Sequence, residues 1–410
     1  MLVAAILLIG SCRPAETPGP PAAGAAARAP LDHKDQPTLF ARAILPANAY
    51  QPGPPSGALV RADNGVTPPF PGQPIPGFSA ILDKGDGTFL AMPDNGYGAK
   101  SNSGDFPLRV YRIRPDFRTV QGGKGTVAVL GFTQLSDPDR RIPFALFRAD
   151  RLLTGADFDL ESVCATEDGD YWFGEEFGPF LLHTDSTGRV LESPFSLSGV
   201  ISPQNPFLAE PDGWTVQASR GFEGMAIAGD GHTLYPMLES ALRNEPDPRR
   251  RVMYEFDLRT RRHTGRTWSY QVDAEFPEAL IGDVLALDDH RFLLIERDDL
   301  QGTAARHKKV YLVDLRREDS GGFLEKRLVL NLLDIADPGR ISLPARAGEF
   351  GVGDRFSFPL QSVESLAALG SDLLLIANDN NYPSSNGRWT NLRRPDDTEI
   401  ILVRVPGLRP

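Results

Sequence analysis

An all-β fold, a β-propeller closed by an N-terminal strand, is predicted by three features of this chain. One short residue pattern recurs five times, each copy reads as two strands around a tight polar turn, and no stretch carries apolar heptads or a long amphipathic helix. The copies begin at Gly77-Phe78-Ser79, Leu160-Glu161-Ser162, Phe222-Glu223-Gly224, Gly282-Asp283-Val284 and Val363-Glu364-Ser365. Their turns are Asp86-Gly87, Asp168-Gly169, Asp230-Gly231, Asp288-Asp289 and Gly370-Ser371. They end on carboxylates or amides, at Asp94-Asn95, Glu175-Glu176, Glu239, Glu296 with Asp298, and Asn378-Asp379-Asn380. Start-to-end offsets stay within about 13 to 16 residues while the starts lie roughly 60 to 80 apart, as in repeats that share a core and differ in their loops.

Each copy is followed by two further strand-like runs, which makes a four-stranded blade. The third copy supplies residues 224–228, 233–238, 252–258 and 267–272, separated by Gly, Asp, Asn and Pro. The fourth supplies 284–287, 292–295, 310–314 and 327–332. The fifth has only three runs, ending at 399–405, so residues 38–45 are expected to complete it from the N-terminal side. Such closure removes the free edge of an open sheet. Five blades is the reading, with six as the alternative because divergent blades hide in sequence. Residues 38–410 form one propeller domain.

The composition, with 40 Gly and 36 Pro, suits a chain of many turns, and a hydrophobic fraction of 41% suffices for a core. A formal charge of -11 with no basic stripe argues against a nucleic-acid partner and leaves cation binding or acidic solubility. The densest basic runs, Arg249-Arg250-Arg251 and Arg259-Thr260-Arg261-Arg262, read as solvated strand edges or loops.

Residues 1–12 read as a signal peptide. The apolar run 2–9 is far shorter than the roughly 20 residues that span a bilayer, and Ile9-Gly10-Ser11-Cys12 is similar to a bacterial lipobox. Cys12 would then carry the acyl chains of an envelope anchor. Basic residues are lacking before the apolar run, and an ordinary secretory signal or a cytoplasmic start are the competing readings. Residues 13–37, rich in Pro, Ala and Gly, form a flexible tether. The other cysteine, Cys164, falls on an inner strand and is expected to be an inert core thiol.

Asp94-Asn95-Gly96-Tyr97-Gly98, Glu175-Glu176-Phe177-Gly178-Pro179, Gly221-Phe222-Glu223-Gly224-Met225-Ala226, Ile295-Glu296-Arg297-Asp298 and Asn378-Asp379-Asn380-Asn381-Tyr382-Pro383 resemble the signatures of the phytase-like family of bacterial proteins, defined by an esterase-like activity of phytase. The resemblance covers about residues 40 to 405. It implies a propeller with phosphoester hydrolase activity.

The chemistry reads independently of that resemblance. Acids at one repeat position of a propeller ring its axis. Glu161, Glu223, Asp283 and Glu364 make one set, and Asp94, Glu175, Glu239, Glu296 and Asp379 a second at the strand ends. Gathered carboxylates repel, and a hard cation with oxygen ligands relieves the repulsion. Calcium fits best, held by the strand-end set. Histidines 33, 183, 232, 263, 290 and 307 lack paired ligand spacing and there is no cysteine cluster, which argues against zinc. The bland reading makes the first set staples for backbone amides, and the Asp-Asn motifs simple turns. With calcium neutralising phosphate, Glu175 or Glu296 is the candidate base, His183 the candidate acid, and Lys100, Arg243, Arg297 and Arg388 the phosphate grips. No Gly-x-Ser-x-Gly elbow, P-loop or dinucleotide fingerprint is present. The expected protein is a monomeric, lipid-anchored or secreted envelope hydrolase of small phosphate esters. Its alternatives are a noncatalytic module binding a saccharide, lipid headgroup or protein, and a metal-dependent lactonase-like esterase.

Overall fold

The computed structural model describes residues 36–408; the lipobox at Cys12 and the tether up to residue 35 lie outside them. The described chain is all-β apart from two single-turn helices, Gly302–Ala304 and Gly387–Trp389. The strands form five antiparallel units of four, the first and fifth joined into one sheet by a parallel pairing of Ile44 with Thr126 and extended by the two-residue strands Ile335–Ala336 and Arg355–Phe356. The first unit is Ala80–Asp83, Phe89–Met92, Arg109–Asp116 and Thr126–Gln134, and the second is Leu160–Ala165, Tyr171–Glu175, Phe180–Thr184 and Phe195–Ser196. Phe222–Ile227, Thr233–Leu238, Arg250–Asp257 and Arg262–Gln271 make the third, and Leu280–Ala286, Arg291–Arg297, Lys308–Glu318 and Leu324–Asn331 the fourth. The fifth is Ser362–Leu369, Leu373–Asp379 and Thr398–Arg404, completed by Thr38–Leu45. That last strand lies antiparallel to its neighbour with Thr38 opposite Arg404 and Leu45 opposite Thr398, as the three-stranded final repeat predicted.

The first strands of the five units adjoin one another in a closed ring around the axis. Between consecutive units lie five apolar cores, and strand alternation feeds two of them at once. In Arg291–Arg297, Phe292 and Leu294 pack toward the third unit while Leu293 and Ile295 pack toward the fifth. Trp172 and Tyr171 divide likewise between the second-to-third and first-to-second cores. This two-sided burial is why the inner strands read as short continuous apolar runs.

The closure is electrostatic as well as apolar. Arg42, on the N-terminal strand, reaches Glu399 and Glu349, and Arg388 meets Glu399 with Nε 2.7 Å from Oε1 and Nη2 3.1 Å from Oε2. Burial works against ionising Glu399, but the two guanidiniums prevail and hold its carboxyl down at about 2. Arg388 donates also to the carbonyls of Phe350 and Ser357.

Candidate functional site

In each unit the first strand begins where the second ends, so both termini share one mouth of the channel. The pairs Leu160 with Glu175, Phe222 with Leu238, Ile281 with Glu296 and Val363 with Asn378 are each followed by a β-bulge in the first strand. The residues the bulges leave unpaired are Glu161, Glu223, Gly282 and Glu364. A bulge bends its strand and re-aims the extra side chain, here toward the axis. On the second strands the residues one step beyond those pairs, Glu176, Glu239, Arg297 and Asp379, point to the same mouth. Asp94 takes that position in the first unit. Gly77 permits the close packing of the first unit on the fifth: a Cβ there would lie 2.3 Å from the Asp379 Cα.

The mouth is a cavity of about 160 Å³ lined by nine carboxylates, of Asp94, Asp159, Glu161, Glu176, Glu223, Glu239, Asp299, Glu364 and Asp379, against two guanidiniums, of Arg220 and Arg297. The two cations stand on one side. Arg297 donates to Glu364 at 2.8 Å and Glu239 at 2.9 Å, with Glu223 at 3.5 Å. Arg220 lies 2.7 Å from Glu239. Among the described residues Asp94, Asp159, Glu161 and Glu176 have no ion pair.

Local strand geometry explains the clustering on that uncompensated side. Asp159 and Glu161 are two residues apart and so share a face, and the Glu176 amide donates to the Asp159 carbonyl at 3.0 Å. Burial, and then repulsion among neighbouring acids, pushes the carboxyls of Asp159, Glu161, Glu176 and Glu223 well above the usual range. Burial pushes Asp94 up to about 7, against the Gly96 amide that its Oδ1 accepts at 2.8 Å. Asp159 Oδ1 is buried with no hydrogen-bond partner.

Of the expected strand-end ligands, Asp94, Glu239 and Asp379 line the mouth; Glu175 and Glu296 do not. The expected register is one residue off in the second and fourth units, and a one-residue step turns a side chain to the other face. Glu175 instead accepts the amides of Phe177, Gly178 and Phe180, stapling its own turn. Glu296 is enclosed by His307 at 2.7 Å, Lys326 at 2.7 Å and the hydroxyl of Tyr270. Asp283 is a staple too, accepting the Val284 and Leu366 amides at 2.7 Å; its register equivalent at the mouth is Gly282.

The remaining expected residues also separate. His183 pairs across from Trp172 near the opposite end of its strand, stacks on that indole at 4.3 Å and lies 2.7 Å from Glu192, away from the mouth. Arg297 is in the mouth, whereas Arg388 is buried in the closure. Lys100 lies over the Phe177 ring and Arg243 over the Trp214 ring, at 5.5 and 3.8 Å from the centroids, and neither lines the cavity. Cys164 is a buried free thiol, raised by burial. The residues missed were Asp159, Glu176, Arg220 and Asp299; stepping one residue past the strand-end pair finds Glu176 and counting two back from the bulge finds Asp159, while Arg220 and Asp299 lie in loops outside the strands.

A family model described as phytase-like, esterase-like activity of phytase, matches residues 73–382. The chain belongs to the phytase-like family. An uncharacterized secreted protein of Arthroderma benhamiae is 28% identical over a stretch covering 36% of each protein, so the match spans about a third of that relative's length. Among solved structures, the chain is similar to a GH43 β-1,3-galactosidase (TM-score 0.42, 7% identity, 81% of this chain and 57% of that one). It is also similar to a GH43 endo-arabinanase from Bacillus licheniformis (0.37, 12%, 80% and 92%) and to a putative gluconolactonase (0.31, 12%, 80% and 74%).

Proposed function

We propose that this family member is a cation-assisted hydrolase of phosphate esters, working at the acidic mouth of its propeller. The observation that carries the reading is the imbalance of nine carboxylates to two guanidiniums in one buried mouth. Such a concentration of charge is stable only with protons or cations among the acids, and all-oxygen donors suit calcium. The residues fit that ion: Asp94, Asp159, Glu161, Glu176 and Glu223 bring ligand oxygens within 4.8 Å in overlapping groups, and the unpartnered Asp159 Oδ1 is a free donor. When bound, calcium supplies charge neutralisation for the phosphoryl oxygens and a more acidic water.

The chain's own residues supply the rest. Arg220, whose side chain is 30% exposed at the rim, is the cation open to an incoming anion, whereas Arg297 is enclosed by three glutamates and positions them. Asp379, which lines the cavity without an ion pair among the described residues, is the carboxylate available to take a proton from an attacking water. Hydrolysis of a panel of phosphate monoesters and diesters by the purified protein, with calcium and with a chelator, tests the reading. Turnover that needs calcium and falls in Arg220→Gln through a raised KM is expected; no turnover of any phosphate ester rejects it.

A second reading, a lactonase-like esterase acting on neutral substrates, is favoured by the scarcity of open cations in the mouth, since Arg220 alone is exposed. The same panel with lactones and carboxylic esters separates the two. Export through the lipobox at Cys12 is part of the proposal, supported by the relative named as secreted. Cys12→Ser is expected to move the protein from membrane to soluble fractions.

A further inference from the structure

We infer that the mouth holds two cations side by side, one among Asp94, Asp159 and Glu161 and the other among Glu161, Glu176 and Glu223, with Glu161 as the shared ligand. This rests on the reading that the mouth takes a hard cation, and it fixes their number and arrangement. Each triad offers three carboxylate oxygens mutually within 4.8 Å, and Glu161 belongs to both. A carboxylate has two oxygens, so one side chain can serve two ions.

The second unit is the reason. Aligning the units on their strand pairs, the three mouth positions read Gly77, Ser79 and Asp94 in the first and Gly221, Glu223 and Glu239 in the third. They read Leu280, Gly282 and Arg297 in the fourth, and Ser362, Glu364 and Asp379 in the fifth. In the second they read Asp159, Glu161 and Glu176, acids at all three. One acid from each flanking unit, Asp94 and Glu223, completes a triad on either side. Independently of the clustering, Asp159 Oδ1 has no hydrogen-bond partner while its residue is 2% exposed and lines the cavity, an acceptor oxygen that the protein itself leaves unsatisfied. Glu176 by contrast keeps one oxygen on the Gly221 amide at 2.7 Å, leaving the other for an ion. Ions about 3.5–4 Å apart suit the attacking and leaving oxygens of an in-line displacement at phosphorus.

Equilibrium dialysis of the full protein against calcium reads the number directly. Two ions per chain are expected, one in Asp94→Asn, one in Glu176→Gln, and none at the parent's saturating concentration in Glu161→Gln. Glu296→Gln is the control that keeps both. One ion in the parent overturns the inference but leaves the cation-assisted reading standing, and so does a Glu161→Gln protein that loses no more than Glu176→Gln. No bound calcium overturns both. If Glu161→Gln does not fold, Glu161→Asp takes its place, with at least tenfold weaker binding at both sites expected and weakening at one site alone counting against a shared ligand.

Discussion

Asp273, Glu296 and His307 bring ligand atoms within 4.8 Å of one another, and so do Asp94, Asp159 and Glu161. The surroundings differ. Lys326 lies 2.7 Å from both Asp273 and Glu296, Lys309 lies 2.8 Å from Asp273, and the Tyr311 hydroxyl adds a bond at 2.7 Å. Against the opposing effect of burial, these partners hold Glu296 and Asp273 below the usual carboxylate range. Asp94, Asp159 and Glu161 have no such partners, and burial pushes their carboxyls upward. Ligand spacing alone therefore does not distinguish the two clusters; the deficit of positive charge does.

The largest expected effect comes from the acid with the most complete compensation. Glu399→Gln strands Arg388 and takes from Arg42 one of its two carboxylates, leaving it Glu349, and breaking such a buried pair costs roughly 3–5 kcal/mol. Urea unfolding of parent and variant measures it; a loss under about 1 kcal/mol would break the distinction between compensated and uncompensated acids. Its pH dependence has a defined sign. The folded carboxyl sits at about 2, below the ordinary value of 4.5, so the advantage of the parent is full above pH 4.5 and disappears as pH falls toward 2.

Next is the response to calcium. An ion held only by the folded state adds about 2.7 kcal/mol at a hundredfold excess over its Kd. Thermal unfolding with calcium and with chelator is expected to show a raised Tm in the parent and in Glu296→Gln, and little rise in Asp159→Asn paired with Glu176→Gln. An equal rise in all three would erase the contrast between the two acid groups. Glu296→Gln itself is expected to lose about 1–3 kcal/mol without calcium, because Lys326 and His307 lose their charged partner.

The sequence made the fold legible because the signal is a repeat: Phe222-Glu223-Gly224 and Val363-Glu364-Ser365 mark the same bulge, and the fifth repeat announced its missing strand. It left the site half legible. Asp94, Glu239, Arg297 and Asp379 emerged from the strand ends, but Glu175-Glu176 and Glu296-Arg297 each offered two neighbours, and only the pairing register decides which one faces the axis. The repeated triplets mark where the bulge lies but not which of two adjacent strand-end residues it leaves facing the axis. Arg388 and His183 misled for another reason: a charged residue soon after a cluster in sequence is carried off by its loop or strand, into the closure in one case and to the far end of the second unit in the other.

The smallest effect has the opposite sign to all the rest. In the calcium-free protein, neutralising an acid of the mouth that has no ion pair removes repulsion and a desolvation penalty, whereas neutralising Glu399 or Glu296 removes a partner. Asp159→Asn is the cleanest case, since Oδ1 has no hydrogen bond to lose and the side chain has no ion pair. A stabilisation on the order of 1 kcal/mol is expected, the scale of one unit of pKa shift. It should be visible as a small rise in urea midpoint at neutral pH with chelator present, and calcium should reverse the ranking, because the parent then gains the ion that the variant holds poorly. Destabilisation of Asp159→Asn under both conditions would mean that its carboxylate is a structural acceptor like Glu175, and that the mouth and the Glu296 cluster differ less than their counter-charges indicate.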